Sequence, residues 1–157
     1  NGNYKVHDSN EGFIAWRHLL NASLLNGKNT EYAKIKKAKL GYTVPLSKFY
    51  ESGGYQLLSD TRLNNINYYI GDTSSKLYIR FAGANNISDN LLKATMTAKD
   101  MFYIDTKFDD GRPLAGRLFA DSGYGLAANS CINDSKQTYN ILNKKTSCYY
   151  QYMIPIY

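Results

Sequence analysis

Asp105, Asp109 and Asp110 form the densest acidic cluster in the chain, and they are the residues with the most chemistry on offer. Carboxylates gathered in one loop are what a calcium ion needs, since it takes about six to eight oxygen ligands. Paired carboxylates also serve glycoside hydrolysis, where they must face one another across a cleft at roughly 5–9.5 Å. The spacing here is not that of an EF-hand loop, and Lys107 and Arg112 stand ready to neutralise the cluster. Turn chemistry accounts for it more simply, with Asp109 or Asp110 accepting local backbone N–H groups ahead of Gly111. We therefore expect no metal and no catalytic residue here.

The other reactive residues are few. Cys131 and Cys148 are the only cysteines, and His7 and His18 the only histidines. No zinc-ligand spacing joins them, and no third group is indicated that would orient a Cys–His nucleophile pair. The cysteines read either as a disulfide in an exported chain or as two reduced, buried thiols in a cytosolic one. A Gly-x-Ser-x-Gly elbow, a phosphate-binding loop, a His-Glu-x-x-His pair and a dinucleotide fingerprint are all missing from the sequence. The expectation is a protein that is not an enzyme and carries no cofactor. A hydrolase using the Asp105–Asp110 region is the weakest of the readings considered.

Composition widens the picture. The chain has 157 residues, which favours a single domain over 1–157. With 43% hydrophobic and 20% charged residues it can build an ordinary globular core. Fifteen tyrosines against 6 Phe and 1 Trp mean that many rings must keep a hydroxyl wet or bonded, which suits interfaces. The net charge is +6, and the longest basic run is Lys34–Lys39. No nucleic-acid motif accompanies that run, so a solvated face is the simpler reading. No stretch approaches the roughly 20 apolar residues that span a bilayer.

The elements that would position these residues follow from periodicity. Asp8 and Glu11 fit a capping box, opening a helix from about Ser9 to Asn26. Phe13, Trp16, Leu20 and Leu24 share its buried face, and Gly27 is placed to end it. Residues 28–65 read as mostly loop, with a short extended stretch at Leu40–Pro45 and a turn at Ser52-Gly53-Gly54. Asn67–Ile70 and Lys76–Ala82 read as an antiparallel hairpin across Gly71–Ser75, with Leu77, Ile79 and Phe81 on one face. Ser88 caps a second helix reaching about Ile104, buried through Leu91, Leu92, Thr95, Ala98, Met101 and Phe102. Gly111 and Pro113 stop it. Arg117–Ala120 and Cys148–Ile154 complete the set as strands. The fold class is α+β, helices packed on a small, mainly antiparallel sheet.

A resemblance appears in two segments. Ile104–Arg117, IDTKFDDGRPLAGR, resembles the "A..ID.K.DDG.P..G.." segment of bacterial prepilin-type proteins, the type IV pilins and type II secretion pseudopilins. Ala15–Gly27, AWRHLLNASLLNG, is similar to their "W.HL..AGLI.G" stretch. Ser23 stands where that family often has Gly, and Leu25 where it often has Ile. The resemblance runs from about Glu11 to Phe119, with the cysteine pair beyond it.

That resemblance implies a pilin-like globular head whose long apolar N-terminal helix would lie ahead of Asn1, anchoring the chain and later packing in a filament core. It implies a C-terminal loop closed by a Cys131–Cys148 disulfide. It implies a structural subunit of an extracytoplasmic type IV pilus-like or pseudopilus filament, whose partners are copies of itself or related pilins. The alternative on the same scaffold is a minor subunit that adheres to surfaces or binds DNA, using the basic run and exposed Tyr rings that could stack on bases or sugars. Some pseudopilins bind calcium near their sheet. Asn21-Ala22-Ser23 and Asn133-Asp134-Ser135 match the glycosylation acceptor pattern, a weak signal in a bacterial chain.

Overall fold

The computed structural model describes residues 9–25, 37–59, 76–85 and 90–155. The expected strand at Asn67–Ile70, its connector, the caps at Asp8 and Ser88, the stop at Gly27, His7 and the first half of the basic run lie outside them. The described elements are α1 (Ser9–Asn21), β1 (Gly54–Leu58), β2 (Leu77–Ala84), β3 (Leu91–Lys93), β4 (Met96–Thr97), α2 (Ala98–Phe108), β5 (Leu118–Ser122), a 3-10 turn at Ala128–Ser130, β6 (Ile132–Asn133), β7 (Thr138–Tyr139) and β8 (Thr146–Ile154).

β8 is the strand on which the sheet is built. It pairs with β2, β4 and β5, while β1 and β3 join through β2, and every pairing is antiparallel. A second, two-stranded sheet pairs β6 with β7. The α+β class therefore holds. Alternation along β8 sends Cys148, Tyr150 and Tyr152 to one face and Tyr149, Gln151 and Met153 to the other. On the first face Phe81, Leu118, Ala120 and Cys148 pack against Met101 of α2 and against Ile132 and Tyr139. On the second, Ala82 and Tyr149 belong to a cluster with Phe13 and Trp16 of α1. The sheet is thus buried on both faces.

That double burial corrects two expectations. The α2 helix begins at Ala98 rather than near Ser88. Leu91 and Leu92 have helical spacing with Thr95 and Ala98, but the sheet captures them: β3 pairs with Gly83 and Ala84, and β4 pairs with Cys148 and Thr146. Thr97 is the real cap. Its hydroxyl accepts the Asp100 N–H at 3.1 Å and donates to the Asp100 carboxylate at 2.7 Å. In β2 the face opposite Leu77, Ile79 and Phe81 is also interior, with Tyr78, Arg80 and Ala82 all buried. The strand also continues past its expected end at Ala82, through Gly83 to Ala84.

The α1 helix stops at Asn21, short of the expected Asn26, and Leu24 is 69% exposed rather than core. The stop is made at Ser23, whose φ is +56°. Leu24 N–H reaches the Leu19 carbonyl at 3.0 Å and Ser23 N–H the Leu20 carbonyl at 3.0 Å, the paired bonds of a Schellman ending. β1 lies in the stretch expected to be loop. The turn falls at Glu51 and Ser52, and the two following glycines serve close approach instead. A Cβ on Gly53 would sit 2.5 Å from Phe81 Cζ, and one on Gly54 would sit 2.7 Å from the Pro45 carbonyl oxygen.

Cys131 and Cys148 form a disulfide, with Cα atoms 5.0 Å apart. Both are fully buried. The bond ties the start of β6 to β8 and bounds the intervening C-terminal loop.

Candidate functional site

The structure resolves the acidic cluster into a clamp between α2 and β5. Asp105, in the last turn of α2, points inward and is fully buried. One of its oxygens accepts the Gly111 N–H at 3.2 Å, and the other accepts the Tyr139 hydroxyl at 2.5 Å. Burial pushes its carboxyl up to about 6 from an ordinary 3.8, with Asp110 and Asp109 adding to the rise and the two hydrogen bonds opposing it. Burial and the Asp105 partnership likewise drive the Tyr139 phenol far above its usual value. Asp109 reaches past the turn. Its Oδ2 accepts the N–H groups of Arg117 and Leu118, the latter at 2.7 Å, and so pins the first residue of β5. Asp110 accepts the Arg112 N–H at 2.9 Å in a local turn.

The two glycines of this loop are required by backbone conformation. Gly111 has φ +73° and Gly116 φ +68°. A side chain on Gly116 would collide with the Asp109 carboxylate that holds β5. Carboxylate oxygens of the three aspartates lie within 4.8 Å of one another. Each aspartate is already committed to an internal donor, so the geometry supports the turn reading and gives the loop a structural task.

Sequence reasoning missed two features. The first is a buried polar band on the α1 side of the sheet. Gln56, Arg80 and Gln151 lie side by side in register, all buried. Gln56 donates to Asn90 at 2.6 Å and accepts the Leu91 N–H at 2.9 Å, and Tyr149 donates to Asp121 at 2.9 Å. Arg80 lies over the Tyr149 ring with its guanidinium carbon 5.7 Å from the centroid. Tyr78, Arg80 and Ala82 alternate with the expected Leu77, Ile79 and Phe81 face, and only a sheet covered on both faces makes them interior.

The second is a groove on the α2 side. Two adjoining hollows of about 570 Å³ and 330 Å³ share Tyr55, Ile104, Phe108 and Tyr150 as walls. The buried Phe81 ring forms the floor, with centroids of Tyr55, Tyr150 and Tyr50 at 5.1, 5.4 and 5.9 Å. Phe49 and Phe108 stand at the rim, 90% and 68% exposed. Burial, with the Tyr55 and Tyr50 phenols close by, pushes the Tyr150 phenol up to about 12. The surplus of Tyr over Phe was the available signal, but the residues come from separate strands and only the register brings them together.

The remaining candidates are scattered. His18 is exposed on α1. Of the basic run, Lys39 lies 4.0 Å from the Tyr42 ring centroid, engaged with its own neighbour. Asn21 is exposed at the end of α1, and Asn133 accepts the Ser135 hydroxyl at 2.8 Å. No helix among the described residues is long and apolar enough to cross a membrane. No protein-family model, no curated protein and no solved structure matches the chain.

Proposed function

We propose that this chain is the globular head of a pilin-like subunit, one that works by assembling into an extracytoplasmic filament and performs no turnover of its own. One observation carries the reading. The family pattern of the two segments holds glycine at the positions of residues 23, 27, 111 and 116, and residue 27 lies outside the described residues. The other three have positive φ here, at +56°, +73° and +68°. Ser23 departs from the pattern in side chain but keeps the backbone conformation that favours glycine. The "ID.K.DDG.P..G" run likewise makes physical sense residue by residue, since Asp105, Asp109 and the two glycines together join a helix to a strand. The α+β frame and the disulfide near the C-terminus are consistent with the same reading.

In such an assembly the heads would meet neighbouring copies through head-to-tail contacts that propagate helically rather than close. The test is made on the full-length gene product in its source cells. Shearing should release filaments that contain this domain, and loss of the gene should remove them or the secretion they serve. A sheared fraction free of the domain, with the domain found as a dispersed monomer, would refute the proposal. The aromatic groove favours a second reading on the same scaffold, a minor subunit that binds a ligand at the filament surface.

A further inference from the structure

Five of the described tyrosines fall into two sets by what their hydroxyls do. Tyr139 and Tyr149 are buried and each donates to an aspartate, Asp105 and Asp121. Tyr50, Tyr55 and Tyr150 instead surround the Phe81 floor of the groove, and their hydroxyls make no hydrogen bond to any described residue. The rings therefore present both an apolar surface and three phenols close enough to influence one another.

The lining narrows the ligand. Every described residue that lines the two hollows is apolar, aromatic or, at Ser47, a hydroxyl, and none of these carries a charge. The Ser47 hydroxyl is already occupied by the Phe49 and Tyr50 N–H groups at 3.1 and 3.2 Å. A phosphate backbone would find no cation within this lining, although the Lys107 ammonium stands 5.9 Å from the centroid of the Phe108 ring at the rim and the chain as a whole is at +6. A purely apolar chain would fill the hollow but dry out three phenols without replacing their water, which costs free energy at each. A ligand that offers a face of C–H bonds to the rings and hydroxyls to the phenols matches this lining best, and it needs no charge to do so. The larger hollow, at about 570 Å³, falls in the range of small-ligand sites.

From this geometry we infer that the groove between α2 and the β1–β2–β8 sheet is a binding site for a neutral saccharide, stacked on the rings around Phe81 and hydrogen-bonded by Tyr50, Tyr55 and Tyr150. The inference deepens the surface-binding reading. It is scored on the isolated chain, so its failure leaves filament assembly untested by that result and separately measurable.

The experiment uses saturation-transfer nuclear magnetic resonance on the 157-residue chain with chitotriose, cellotriose and maltotriose as probes. Tyr55→Phe and Tyr150→Phe serve as variants, since they keep the rings and the fold while removing one hydroxyl each. Transfer to the sugar C–H protons of at least one probe is expected, with binding weakened roughly 3- to 10-fold by each variant. No transfer from any probe at millimolar concentration would overturn the inference. Binding unchanged in both variants would overturn it as well, because the sugar would then sit elsewhere. Groove resonances that respond to tetramethylammonium or to an oligothymidylate but to no saccharide would reassign the site to a cation or to nucleic acid. Concentration-dependent self-association that Phe108→Ser abolishes, without sugar binding, would reassign it to a second copy of the chain.

Discussion

Replacing Asp105 by Asn isolates the clamp as a titrating element. The carboxyl is fully buried, and its value is raised to about 6 from 3.8. Between those values the folded chain holds a proton that the unfolded chain releases. Stability from this group is therefore complete below about pH 4 and lost as pH rises through about 6. A rise of about two units corresponds to roughly 3 kcal/mol across that window. Other carboxylates with depressed values would push stability the other way, so the useful quantity is the difference between the two proteins. Asp105→Asn keeps an acceptor oxygen for the Gly111 N–H and an amide that can donate to Tyr139, without a charge to bury. Urea unfolding can be followed through the one tryptophan, Trp16, which is buried against α1's partners. The stability of the original protein relative to Asp105→Asn should fall by about 2–3 kcal/mol between pH 4 and pH 7. A difference that stays constant over that range, or that rises with pH, would refute the assignment of Asp105 as a buried carboxyl with a raised value.

Three further outcomes follow from the geometry. Ser23→Gly should stabilise the chain by about 1 kcal/mol, because the residue sits at φ +56° in the ending of α1, and thermal unfolding would show it. Asp109→Ala should cost about 2 kcal/mol by stripping the Arg117 and Leu118 N–H groups of their acceptor, and Gly116→Ala should cost a similar amount. Since both act on one carboxylate, the double variant should cost clearly less than the sum, which a double-mutant cycle in urea measures. Replacing Cys131 and Cys148 together by Ser should lower stability by about 3 kcal/mol in the chain-entropy picture, for a link spanning 17 positions. A calorimetric loss well under 1 kcal/mol would show that the unfolded chain gains little freedom when the bond is gone.

How much of this was legible in the sequence depended on whether the signal was local. The last strand, the Arg117–Ala120 strand, the apolar face of α1 through Phe13 and Trp16, and the α+β class all rest on short-range periodicity. So does the reading of the Asp105–Gly111 run as turn chemistry, whose partners Gly111, Arg112, Arg117 and Leu118 are near in the chain. The failures came from tertiary capture. Leu91 and Leu92 were helical in spacing, yet β2 recruited them into a strand because a sheet covered on both faces rewards any apolar pair. Gly53 and Gly54 looked like a turn, but their missing side chains admit Phe81 and Leu40 into close contact. The groove was invisible for the same reason. Tyr55, Phe81 and Tyr150 become neighbours only through the pairing of Tyr55 with Phe81 and of Phe81 with Tyr150.

The assembly reading is tested most directly by electron cryo-microscopy of filaments sheared from cells that make the full-length chain. The account predicts a helical array in which each head density accepts the six-stranded sheet, α2 and the Cys131–Cys148 link, repeated along the filament axis. Filaments whose subunits cannot accommodate this sheet, or cells that make the protein and carry it only as isolated molecules, would contradict it.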